Sequence, residues 1–149
     1  MPLYKIDKNF TATKKIPQKL IQNIMYGAYI SYALDREDAG QTVVVKNKTI
    51  MAVESFEGRY ETILRGSSLS NGKSCVVIMN KLSIDEKESV VIDTEFLIFL
   101  KEHNVDLLAF EENVFIEEKE KFINIAKKLK ISLLFFNKEN VLKAMNKGN

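Results

Sequence analysis

The stretch GQTVVVKNKTIMAVESFEGRYETILRG, residues 40–66, decides how this chain folds. Thr42 to Lys46 is a β-branched run and reads as a strand. Asn47-Lys48 supplies a two-residue hairpin turn, because asparagine tolerates a positive φ. Thr49 to Glu54 returns as the partner strand. Gly58 then breaks the chain, and Tyr60 to Leu64 reads as helical. The unit is a hairpin, a glycine corner and a helix.

Upstream, residues 1–16 carry no clear period and read as an extended entry segment, with residues 17–149 as a single domain. Pro17 suits a first helical turn, where its missing N–H costs little. Leu20, Ile21, Ile24, Met25, Ala28 and Tyr32 then recur at helical spacing. Tyr26, Tyr29, Ile30 and Leu34 make the other flank apolar too, so this helix is expected to pack against two things. Asp35, Glu37, Asp38 and Gly40 end it.

Downstream, Gly66 to Gly72 holds three serines and an asparagine and reads as a loop. Ser74 to Met79 is a buried-type strand, and Lys81 to Ser89 is polar and irregular. Asp93 is placed to cap a helix over Phe96, Leu97 and Leu100, closed by Asn104. Leu107 to Phe110 is a short strand, turned at Glu112-Asn113 into another at Val114 to Ile116. Glu117 and Glu118 start a helix and Lys127, Lys128 and Lys130 finish it, in the order that suits the helix dipole. Ile131 to Phe136 is a final strand and Glu139 to Met145 a terminal helix. Alternating strands and helices imply an α/β fold around a largely buried sheet. The hairpin makes that a mixed β-sheet, flanked by helices in a single domain.

A length of 149 residues is enough for one domain with a real core. The chain is 46% hydrophobic and 28% charged, as ordinary globular proteins are. A net charge of +2, with no basic run, gives no case for nucleic acid. The lone Cys75 excludes an internal disulfide and a cysteine-rich metal site. No apolar run reaches the roughly 18 residues of a membrane span. The N-terminus lacks a signal-peptide core, so a cytoplasmic location is expected.

The order of Thr13-Lys14-Lys15-Ile16-Pro17, the tyrosine-rich helix, Gly40-Gln41-Thr42-Val43-Val44-Val45, Ala52-Val53-Glu54 and Glu57-Gly58-Arg59-Tyr60 resembles a known family. It is similar to the C-terminal domain of the LpxI-type UDP-2,3-diacylglucosamine pyrophosphatases over about residues 11–136. The resemblance implies hydrolysis of a UDP-linked diacylated glucosamine to UMP and a lipid sugar phosphate, a bacterial step in lipid A synthesis. It also implies a divalent metal, usually Mg²⁺, and contact with the inner membrane through the lipid-sugar substrate. Carboxylates beside a tight glycine turn suit that metal.

The same resemblance marks departures. The family's corner is Glu-Gly-Thr-Asp, and here Arg59 and Tyr60 replace its last two residues. Of the family's later polar motif, Asp85 is kept and Lys87 stands where an arginine is expected. The family's N-terminal Rossmann-like domain has no counterpart in this sequence, so half of the substrate cleft is expected to be missing.

The resemblance therefore nominates Glu57, Tyr60 and Asp85 as catalytic positions, Gln41, Gly58, Arg59 and Lys87 as substrate contacts, and Glu54 and Glu57 as metal ligands. Each has a plainer alternative. Glu54 and Glu57 are equally a strand end and a turn. Arg59 either forks onto a diphosphate or is a solvated helix start. Tyr60 either stacks on a base or sugar or covers the core. Gly58 supplies a positive φ or close backbone approach. Gln41 either meets substrate or ties the hairpin to a neighbouring loop. His103 reads as a solvated helix-end imidazole, and Cys75 as a small buried hydrophobe. Ser67 to Ser74 lacks the spacing of a phosphate-binding loop.

The expectation is a divergent homologue with little or no hydrolase activity. One alternative is a Mg²⁺-dependent hydrolase completed by a separate N-terminal domain. Another is a non-catalytic module that makes a homodimer, or covers a partner, through the helix around Tyr26, Tyr29 and Tyr32.

Overall fold

The computed structural model describes residues 4–7, 10–12, 15–33, 42–47, 49–54, 57–71, 75–79, 91–111 and 114–147. The hairpin forms as expected. Strands β3 (Thr42–Lys46) and β4 (Thr49–Val53) pair antiparallel, with Asn47 at φ 49°. The register slips between Val44 and Val45, a bulge that sharpens the local twist.

Three further strands extend the sheet from β3. Strand β5 (Cys75–Met79) pairs antiparallel with β3, and β7 (Val105–Glu111) and β9 (Ser132–Phe136) follow in parallel. Parallel neighbours need crossover helices. Helices α3 (Thr94–Glu102) and α4 (Lys119–Lys128) supply them. Two short antiparallel strands, β1 (Tyr4–Asp7) and β2 (Phe10–Ala12), add to the far side of β9, so the entry segment contributes to the sheet. The full strand order is β1-β2-β9-β7-β5-β3-β4, a mixed sheet in a single α/β domain.

Period-two alternation divides the core between the faces of this sheet. Val44, Val77, Leu108 and Leu133 face α3, α4 and helix α2 (Arg59–Leu69). Val43, Val45, Val76, Ile78, Ala109 and Leu134 face helix α1 (Gln18–Ala33) and helix α5 (Lys138–Lys147). Because β3 is covered on both faces, Thr42 to Val45 are all buried.

Two sequence expectations change. The serine-rich segment after Gly66 is not wholly loop, since α2 runs on to Leu69. The small residues there are a packing surface. A Cβ on Gly66 would lie 2.6 Å from Val44 Cβ, so only glycine lets α2 sit this close to β3. Ser67 Oγ donates to the His103 carbonyl at 2.7 Å and Ser70 Oγ to the Gly66 carbonyl at 2.9 Å. The strand expected after the Glu112-Asn113 turn exists as β8 (Phe115–Ile116), but it pairs with β6 (Val91–Ile92) in a separate two-stranded sheet. Asp93 caps α3 as read from the sequence, accepting from the Phe96 N–H at 3.0 Å.

Gly66→Ala is expected to destabilise the fold by about 1–3 kcal/mol through overpacking. Urea unfolding measures it. Combining it with Val44→Ala is expected to cost less than the sum of the two single changes, because they share one contact. Strict additivity would show that the helix–strand contact is not what Gly66 protects.

Candidate functional site

Strands β5, β7 and β9 all end on one edge of the sheet, where β3 begins and β4 finishes. In open α/β sheets the crevice at the carboxyl ends of the strands is where ligands usually sit. The glycine corner lies on this edge. The Glu54 N–H donates to the Thr42 carbonyl at 2.9 Å, tying the end of β4 to the start of β3. Gly58 then takes φ 86°, a left-handed conformation that a side chain disfavours, and α2 follows. Its carbonyl accepts the Thr62 N–H at 3.1 Å and opens the helix ladder.

Glu57 is not an open carboxylate. The Arg65 guanidinium bridges to its Oε1, and the same Arg65 group donates to the Val53 carbonyl at 3.1 Å. Arg65 thus staples the last residue of β4 to the turn. Thr62 Oγ1 lies 2.8 Å from the Gly58 carbonyl and 3.2 Å from Glu57 Oε1, so its single proton serves one or the other. The Arg65 hydrogen bond is the chief reason the Glu57 carboxyl titrates below its ordinary value of 4.5. Glu57, Glu61 and Arg65 form one stripe at four-residue spacing, with Leu64 between them, around a shallow open groove. That spacing was the available signal for Arg65, which the sequence reading passed over.

Arg59 and Tyr60 turn toward α3. The Tyr60 ring meets Phe99 edge-on at 4.8 Å and Phe96 at 5.8 Å between centroids, while remaining 41% exposed. The Arg59 guanidinium lies 5.0 Å from the Phe96 ring centroid and 5.3 Å from that of Tyr60. The cluster runs on through Phe99 to His103, whose Nδ1 lies 2.8 Å from the Phe99 carbonyl. His103 is therefore half-buried and engaged at the end of α3. Where the resemblance places an acid, this chain has a phenol ring in an aromatic contact between two helices.

Two more polar groups share this edge. Glu111, the last residue of β7, is only 8% exposed. Its place at the end of an apolar run hid it from a reading based on turns. The Thr42 hydroxyl is buried, with no hydrogen-bond partner among the described residues. Gln41, Asp85 and Lys87 lie outside the described residues.

The described residues around the corner offer carboxylates but no clustered set. They hold no group of three or more His, Cys, Asp or Glu side chains placed for a metal, and Glu57 already has a guanidinium as its cation. None of the described helices is long and apolar enough to cross a membrane.

Compared with known proteins, the chain matches the family model described as the LpxI C-terminal domain over residues 7–134. That match spans the hairpin, the corner, Asp85, Lys87 and Glu111. No curated protein matches the chain significantly.

The Glu57–Arg65 pair has a pH signature with a definite sign. A folded-state pKa below the unfolded one stabilises at pH values above the ordinary carboxylate value and loses that contribution as pH falls through the lowered folded value. The melting-temperature gap between the native chain and Glu57→Gln is therefore expected to be present at neutral pH and to close below pH 4.5. Thermal melts across that range measure it, and a gap that widens in acid would contradict the pairing.

Proposed function

This chain belongs to the LpxI C-terminal domain family, and on that premise we propose that it is a divergent member whose corner no longer activates water against a diphosphate. The observation that carries this reading is the state of the corner. Glu57 is held by Arg65, and Tyr60 stands in an aromatic contact with Phe99 where the family resemblance expects an aspartate. A phenol does not replace a carboxylate as a hard-cation ligand. The proposed role is that of a non-catalytic binding or assembly module in the cytoplasm, next to the lipid-sugar chemistry of the inner membrane.

Helix α1 is the proposed contact surface, for a second copy or for a separate N-terminal domain. Tyr26 and Tyr29 are 36% and 37% exposed, on a helix with no charged residue between Leu20 and Ala33. Tyr32 points the other way and meets Phe136 edge-on at 6.2 Å.

A second reading is supported by the two glutamates that accompany Glu57 at this edge, Glu54 and the buried Glu111. In that reading the hydrolytic site is completed by a separate polypeptide, with Asp85 and Lys87 as further contributors.

Incubation of the chain with UDP-2,3-diacylglucosamine and Mg²⁺ is expected to release no UMP above the buffer control. Release by the native chain alone would overturn the non-catalytic reading. Release that appears only on adding a separately expressed N-terminal domain of the family, and disappears with Glu111→Gln, would establish the second reading.

A further inference from the structure

Strand β4 is the lateral end of the seven-stranded sheet, and among the described residues no strand pairs with its outer side. Such a side offers unpaired N–H and C=O groups to any further strand. The β4 sequence, Thr-Ile-Met-Ala-Val, holds no charge and no proline, two of the devices that keep an edge strand from pairing. Ile50, Met51 and Val53 are only partly buried. The bulge at Val44/Val45 interrupts the ladder on the hairpin side, so the regular stretch of β4 is the end at Ala52 and Val53.

At that end the backbone direction is fixed. The Glu54 N–H donates inward, to the Thr42 carbonyl of β3 at 2.9 Å. Across a trans peptide the preceding carbonyl points the opposite way, so the Val53 C=O faces the open side. The Val53 N–H faces out with it, because both groups of a strand residue lie on one side. Arg65 of α2 sits on this outward carbonyl, donating to it from Nη2 at 3.1 Å. The same guanidinium bridges to Glu57, which holds it in place. A charged group set over the one regular stretch of an apolar strand occupies its acceptor. A docking strand would have to displace that charge or bury it.

We propose that Arg65 guards a self-association surface: with its guanidinium displaced, β4 pairs antiparallel with β4 of a second copy of this chain, about Val53. The Val53 N–H of each copy donates to the Val53 carbonyl of the other, the reciprocal pair of an antiparallel ladder. One residue thus supplies both halves of the contact, which is why a second copy fits it. The pairing sets Glu54 opposite Ala52 of the copy, so no like charges meet across it. It is isologous and closes as a dimer, whereas pairing of β4 with β1 at the far end of the sheet would grow without limit. It does not use Tyr26 or Tyr29, so it does not rest on the contact proposed for α1.

Sedimentation velocity of the full chain over a concentration series tests this. Arg65→Met keeps an apolar stem and removes the guanidinium. It is expected to self-associate to a discrete dimer about tenfold more tightly than the native chain, or more. Arg65→Lys keeps a cation over the carbonyl and is expected to behave as the native chain does. Amide hydrogen exchange reads the site. In Arg65→Met the Val53 N–H is expected to exchange more slowly as concentration rises, since it is donated only in the dimer. Tyr26→Ser added to Arg65→Met is expected to leave that association intact, which separates it from a contact through α1. Glu57→Gln loosens the guard from its other side and carries the same test, with a smaller shift, if Arg65→Met does not fold. Unchanged association in Arg65→Met, equal association in Arg65→Lys, dimerisation that leaves Val53 exchange unaltered or is lost with Tyr26→Ser, or growth past a dimer would overturn the proposal.

Discussion

Strand β3 has no spare room on either side, and the rest of the domain is arranged around that limit. On one face Val44 meets Gly66 of α2. On the other, a Cβ at Gly27 of α1 would lie 2.7 Å from Val45 Cγ2 and 2.2 Å from Ile78 Cδ1. Two helices therefore approach the same five-residue strand through glycines, one from each face. Close-packed interiors tolerate little change of volume, so this clamp fixes where both helices sit. It also fixes the corner. Helix α2 can contact β3 at Gly66 only if it starts near the end of β4, and the chain must then reverse within a few residues. Gly58 at φ 86° makes that reversal possible.

Much of this was legible in the residues. The β-branched run at Thr42 to Lys46, the Asn47 turn, the Asp93 cap and the alternating strands and helices each carry a local signal. The structure realises them in the expected order. What was missed had signals of another kind. Gly66, Ser67 and Ser70 look like a loop in isolation, because small polar residues are common in turns. Their helical form depends on Val44 and the His103 carbonyl, which lie 22 and 36 positions away in the chain. The pairing of β8 with β6 is equally non-local. Tertiary contacts override local propensity at such places.

The corner was half legible. Gly58, Glu57 and Tyr60 could be named from the pattern, but their partners could not. A lone glutamate beside a glycine reads the same whether it faces a metal, water or an arginine. The difference lies in Arg65, eight residues on, which reaches the Val53 carbonyl and the Glu57 carboxylate at once. Any cation arriving at Glu57 must displace that guanidinium and leave the Val53 carbonyl to find another donor. Both side chains of the pair are partly exposed, so solvent screens their attraction and holds down the cost of exchange. The arrangement is therefore a resting state that a strong ligand could open. The Tyr60 contact with Phe99 is different, since opening it would expose aromatic surface between α2 and α3.

Two polar groups are left over where the packing does not call for them. The side chains that β5, β7 and β9 send into the core are almost uniformly apolar, so nothing in the packing demands a buried hydroxyl or amide. Yet the Thr42 hydroxyl and Asn23 Oδ1 are sealed without partners among the described residues. They stand near opposite edges of the sheet, one where β3 begins and one near where β3 ends. A valine at position 42 would have the same shape as threonine and no orphaned hydroxyl. Each group therefore carries a cost that an apolar residue of similar volume would avoid.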